Sequence, residues 1–179
     1  MSKRVSFLFG LLALLLVQSV AGDVLVLVHG YASDAGTWER SGVNSALQAY
    51  GWPRAIIPAP NMPEPAQQAV NKSFTVNLPS EAPLLVQANF LRALLDGIRQ
   101  RYADEKLILV GHTAGGVVAR LIRLGNNPYQ VDELITIASP QLGTVRAAQG
   151  LDVVDSKPFF CPGPGNHFLK RLVGGSGYN

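Results

Sequence analysis

One short stretch gathers most of the chemistry this chain could perform. Thr113 follows Gly111-His112 and precedes Ala114-Gly115-Gly116, with apolar Leu107-Ile108-Leu109-Val110 before it and an apolar segment from Val117 to Leu124 after it. A strand that runs through a glycine-flanked turn into a helix is the layout of a nucleophile elbow, which lifts one hydroxyl above a sheet. The glycines at 111 and 115 leave room for the turn, and Gly116 allows close packing of helix on strand. The common pattern is G-x-S-x-G, and here Thr113 holds the serine position. A hydroxyl so placed can attack an acyl carbon once a base takes its proton. Threonine is an awkward occupant: a β-branched residue at positive φ is a conformational outlier, and its methyl restricts χ1. It is also internal, without the free amine that activates an N-terminal threonine. The residue types therefore predict weak or absent turnover.

Two further motifs agree with the first. Val24-Leu25-Val26-Leu27-Val28 is a β-branched apolar run suited to a fully buried parallel strand, and it ends in His29-Gly30-Tyr31. Leu134-Ile135-Thr136-Ile137-Ala138 reads as another buried strand, ending in Ser139-Pro140-Gln141-Leu142-Gly143-Thr144. In this order and at this spacing the three motifs resemble the α/β-hydrolase superfamily. The likeness is to its lipase-like branch, with inositol-deacylase-like and palmitoyl-thioesterase-like members, over residues 23 to 145. The resemblance implies hydrolysis of an ester or thioester by nucleophilic acyl transfer, without cofactor or metal. It places the nucleophile at Thr113 and the oxyanion donors at the backbone amides of Tyr31 and Ala114. It also implies a small-molecule or lipid ester as substrate, with a membrane surface as one place to meet it. The competing reading is a non-catalytic hydrolase remnant or a binding module.

The resemblance also fixes where acid and base should fall: after the nucleophile, in the order Ser, Asp or Glu, His. His167 satisfies the order, with Asp152 or Asp155 between it and Thr113. His29 and His112 read as structural, the first in the loop after the strand at 24–28, the second inside the elbow. Asp132 stands at the N-terminal end of its strand, away from the face where ligands bind in open α/β sheets. Gln141 occupies a position where lipase-like relatives often carry histidine.

Between these motifs the sequence predicts a helix over Val43–Tyr50 and a strand over Arg54–Ile57. A polar, proline-containing surface connection should then run from Asn61 to Ser80. A second helix should start near Glu81, capped by Ser80 with Pro83 in its first turn. Leu84, Ala88, Leu91, Leu95, Ile98 and Tyr102 give it one apolar stripe. Strands alternating with helices mean βαβ units and a parallel sheet. The expected fold class is α/β, a partial α/β-hydrolase core whose parallel sheet is flanked by helices, its C-terminal strands missing. Two more βα units would take on the order of 60 residues. Gln141–Asn179 is shorter and reads as a loop at 159–165 and a helix at 166–173, so the domain at 22–179 is expected to be C-terminally incomplete.

Composition bounds the rest. With 47% hydrophobic and 15% charged residues, the 179-residue chain reads as one packed domain. Lys3-Arg4, the apolar run Val5–Val17 and Ser19-Val20-Ala21 occur in the order of a cleavable signal peptide over residues 1–21. The run is shorter than the ~20 residues needed to span a bilayer. A buried first helix and an uncleaved anchor are the alternatives. Export to a periplasm or the outside follows from the first reading. Lys3 and Arg4 account for two of the three net positive charges, and no basic stripe with interleaved aromatics appears, so nucleic acid is not an expected partner. No C-x-x-C or H-x-x-x-H spacing supports a metal. Cys161 is the only cysteine, either a free thiol or half of a bridge to a partner elsewhere. Oligomeric state is not legible.

Overall fold

A computed structural model of the chain describes residues 22–57, 70–124 and 126–142. The signal-peptide reading, His167, Asp152, Asp155 and Cys161 lie outside the described residues.

Four parallel strands form one sheet in the order β2-β1-β3-β4: β1 Asp23–Val28, β2 Lys72–Val76, β3 Lys106–His112 and β4 Val131–Ile137. Parallel neighbours need crossovers. Helix α3 (Leu84–Arg101) joins β2 to β3, and α4 (Ala114–Leu124) joins β3 to β4. Between β1 and β2 lie two short helices, α1 (Thr37–Arg40) and α2 (Val43–Ala49). The α/β class, the parallel sheet and the flanking helices are thus as the sequence predicts.

The apolar residues sort by face. Val24, Val26, Val28, Phe74, Val76, Leu107 and Leu109 share one core with the buried stripe of α3 and with Val117, Val118, Leu121 and Ile122 of α4. The opposite face is smaller: Leu25, Leu27, Ile108 and Val110 pack against Trp38 of α1, with Val43 and Leu47 of α2 and Trp52 against them. All six stripe positions of α3 and its C-cap are buried. Removing that much apolar surface from water is the dominant favourable term for this layer.

Four local expectations need correction. The strand expected to be buried at 134–138 is β4, at the edge of the described sheet, and of its residues only Val131 is buried. The segment Arg54–Ile57 is not a strand; it makes one isolated bridge, Arg54 to Ser73. The strand beside β1 is instead β2, inside the stretch expected to be a surface connection. Its alternation explains the mistake. Phe74 and Val76 face the large core while Ser73 and Thr75 pair in register with Leu25 and Leu27, so three of its five residues, with Lys72, are polar yet buried. Two of the three are compensated from elsewhere in the chain, whereas the buried Thr75 Oγ1 has no partner among the described residues. Ser73 Oγ lies 3.3 Å from the carbonyls of both Trp52 and Pro53, and Lys72 pairs with Glu105. Finally, α3 begins at Leu84 with Pro83 as its N-cap residue, outside the first turn, and Ser80 makes no side-chain cap. The Gln87 amide reaches back to the carbonyls of Ala82 and Ser80 instead.

Candidate active site

Thr113 sits at the C-terminal tip of β3 with φ of 48°. Left-handed backbone in a β-branched residue costs on the order of 1–3 kcal/mol and persists only where its surroundings enforce it. Here they do. The Thr113 amide donates to Ile137 O of β4 at 2.9 Å, and its carbonyl accepts from Gly116 N–H at 3.2 Å as α4 starts. The turn is therefore held at both ends.

Glycines make this packing feasible. A Cβ on Gly111 would lie 2.4 Å from the Gly116 Cα, and one on Gly115 would lie 2.6 Å from the Val28 carbonyl oxygen, closer still to that of His29. The first turn of α4 thus rests directly on the end of β1. That approach carries the His29-Gly30-Tyr31 loop to the elbow: a Cβ on Gly30 would meet the Thr113 side chain and would come within 3.3 Å of His112 Nδ1. Sequence spacing alone could not give this contact, which joins residues more than eighty positions apart.

His29 is fully buried and spent on structure. Its Nε2 accepts the Leu78 N–H at 2.9 Å, so the ring proton sits on Nδ1, which donates to Gly30 O at 3.0 Å. The ring ties the loop after β1 to the segment after β2. His112 is half-buried, its ring edge-on to Trp38 with centroids 6.4 Å apart and planes at 76°. The sequence reading overlooked Trp38. The signal available was an aromatic residue in a short helix after a polar loop, which does not reveal which strand end it will cover.

Tyr31, next to Gly30 in the loop after β1, is exposed, and Ala114, the first residue of α4, is buried. Ser139, just past β4, lies over Gly116, so a Cβ there would collide with its hydroxyl. Gln141 Oε1 accepts from Arg120 at 3.2 Å, a structural use of that position. At the outer rim, Arg40 donates to Asp34 at 3.0 Å and holds that carboxyl below its usual range. Asp132 lies at the opposite end of the sheet, its carboxylate accepting the Leu107 N–H at 2.8 Å. Among the described residues no group of three or more His, Cys, Asp or Glu could hold a metal ion, and no helix is long and apolar enough to cross a membrane.

Comparison with known proteins agrees with this fold. The family described as PGAP1-like alpha/beta domain matches residues 20–154. No curated protein matches. Among solved structures, the mature lipase BlEst2 of Bacillus licheniformis aligns with TM-score 0.54 at 20% identity, over 76% of this chain and 48% of that one. The product of gene lin2722 from Listeria innocua aligns with TM-score 0.60 at 14% identity, over 86% and 64%. Phospholipase PlaB from Legionella pneumophila, in complex with thio-NAD, aligns with TM-score 0.54 at 16% identity, over 83% and 33%. The chain spans about half the length of the lipase it matches. At these identities the likeness establishes the fold.

Proposed function

The chain belongs to the PGAP1-like alpha/beta domain family, and from that premise we propose that it is an ester or thioester hydrolase working by acyl transfer through Thr113. The observation that carries this reading is the Thr113 backbone, strained at φ 48° and set against Gly30 of the loop after β1. Thr113 Oγ1 attacks the acyl carbon, and the amides of Tyr31 and Ala114 receive the developing oxyanion. No cofactor takes part. The γ-methyl crowds the attack, so turnover is slow relative to a serine elbow. Lipid esters, including ones presented at a membrane surface, fit the lipase and phospholipase identities of two structural neighbours. Residues 1–21 direct export in this reading, and N-terminal sequencing of the exported protein should begin at Gly22.

The test is hydrolysis of a short-chain p-nitrophenyl ester by the protein and by Thr113→Ala. A rate above background that Thr113→Ala removes supports the reading. Equal rates favour a second reading, a non-catalytic hydrolase remnant, for which the branched side chain at positive φ is the supporting observation.

A further inference from the structure

One face of the sheet is covered out to its last strand and the other is not. Thr75, Leu27, Val110 and Ile135 form one rung across the four strands, each in register with the next. Along that rung the exposed fraction runs 9%, 1%, 8% and then 46%. The rung nearer the elbow repeats the step: His112 is half-buried, whereas its partner Ile137 is 44% exposed. Register partners in a parallel sheet project to the same face. The layer that α1, α2 and Trp52 lay over Leu27 and Val110 therefore stops at β3. On its other face β4 is covered, with Val131 inside the large core and Leu134 packed against it. A strand added at the edge of β4 would widen the bare face without covering it. Covering it takes a helix laid across the strands.

The space suits one helix. β4 lies two strand spacings from β1, about 10 Å, which is also the separation of neighbouring packed helices. The chain carries a segment of matching size and pattern, outside the described residues. At the helical period, Phe168, Leu169, Leu172 and Val173 fall within an arc of about 140°, and His167, Lys170 and Arg171 fall on the opposite side. Residues 166–173 would make ~12 Å of helix, and the bare stretch from Glu133 to Ile137 measures ~13 Å. The chain leaves β4 for the exposed Leu142, and residues 143–165 give it ample length to turn back.

We propose that residues 166–173 of this chain dock as a helix on the bare face of β4, setting their apolar arc against Ile135 and Ile137 and leaving Lys170 and Arg171 in water. Patch size favours this occupant over a second copy of the chain. Two half-exposed isoleucines offer far less than the ~800 Å² per partner of a stable protein–protein interface. A tethered segment needs less, because its linker holds it near the patch at an effective concentration on the order of millimolar. Burying both isoleucines and the arc that meets them removes apolar surface from water on each side of the contact. The inference goes beyond the acyl-transfer reading and stands whether or not Thr113 turns over an ester.

The experiment is peptide-resolved hydrogen exchange on the full chain and on the double variant Ile135→Asp, Ile137→Asp. In the parent, residues 166–173 should exchange at least about tenfold more slowly than a free peptide of the same sequence. In the variant that protection should be lost while peptides from β1 and β3 keep theirs, which shows the sheet still folded. Exchange at the free-peptide rate in the parent would overturn the proposal, as would protection that survives in a folded variant. Disulfide trapping decides the matter without introducing charge, and so covers the case in which the double variant unfolds. In a Cys161→Ser background, Ile135→Cys with Leu169→Cys should close an intramolecular bond at least about tenfold faster than Leu124→Cys with Leu169→Cys. Leu124 is as exposed as Ile135 but ends α4, on the large-core side of the sheet. Equal rates for the two pairs would overturn the docking. A bond joining the position-135 cysteines of two molecules, faster at higher protein concentration, would overturn it in favour of a second copy.

Discussion

The two ends of the sheet are built on opposite principles. At the C-terminal end the backbone packs directly on backbone through Gly111, Gly115 and Gly116, and a branched residue is held at positive φ. At the N-terminal end charged side chains do the joining. Lys72 at the start of β2 is buried against Glu105 and lies 4.6 Å over the Tyr102 ring. Arg99 donates to the carbonyls of Tyr129, Gln130, Tyr102 and Glu105, and burial draws its pKa below the usual arginine value. Long side chains can adjust to one another, whereas backbone packed on glycine cannot. The lower end tolerates sequence change through compensation, and the upper end keeps a geometry whose strain can be put to chemical use.

The largest effect should come from breaking the lower end's buried pair. Lys72→Ala leaves the Glu105 carboxylate buried without its partner, which costs about 3–5 kcal/mol, measured as a fall in urea midpoint. The double change Lys72→Met, Glu105→Leu should recover most of that loss, because it removes both charges and restores apolar packing. If the double variant were as unstable as the single one, the pair would be doing more than neutralising itself, and the proposed contrast in tolerance would fail.

Gly115→Ala tests the upper end in the same units. Its methyl would point at two backbone carbonyls of β1 rather than at a flexible side chain. We expect a loss of about 1–3 kcal/mol that no substitution at Val28 or His29 recovers, since those oxygens belong to the main chain. Recovery by a single second-site side-chain change would erase the distinction between the two ends.

These contrasts also explain which parts were legible in the sequence. The β1, β3 and β4 runs are apolar enough to announce themselves, and the α3 stripe repeats at helical spacing. β2 was not legible, because Lys72, Ser73 and Thr75 look solvent-exposed until Glu105 and the Trp52 and Pro53 carbonyls are placed beside the first two. The elbow was legible from Gly111 to Gly116, whereas the convergence of His112, Gly30 and Trp38 depends on how three chain segments meet. Local pattern predicts elements well when burial is apolar and poorly when polar burial is compensated from a distance.

A smaller effect should separate strain from function at the elbow. Thr113→Gly relieves the penalty of left-handed backbone, about 1–2 kcal/mol, but gives back roughly half as unfolded-chain entropy. The net expectation is a variant about 0.5–1 kcal/mol more stable than the parent and inactive toward the p-nitrophenyl ester. A destabilised glycine variant would mean that the threonine side chain contributes packing that outweighs its strain.

The smallest effect belongs to the lower end and is a matter of pH. Tyr129 lies in the turn before β4, its hydroxyl 2.9 Å from Asp96 and 3.2 Å from Arg92 O. Burial, and then the hydrogen bond and charge of Asp96, push its pKa up to about 12 from an ordinary 10.0. The folded protein thus keeps the phenol proton to higher pH than the unfolded chain does. Between those two values the unfolded state binds fewer protons, so stability must fall as pH rises. The contribution is whole below pH 10 and gone above about 12. The residue is only partly buried, so solvent screening keeps the effect modest. Tyr129→Phe removes the ionisation along with the hydrogen bonds. At pH 8 the variant should be slightly less stable than the parent, and the gap should close as pH climbs through that window. A gap that stayed constant across it would show that the phenol titrates alike in both states, leaving Arg99 as the chief polar tie between that turn and α3.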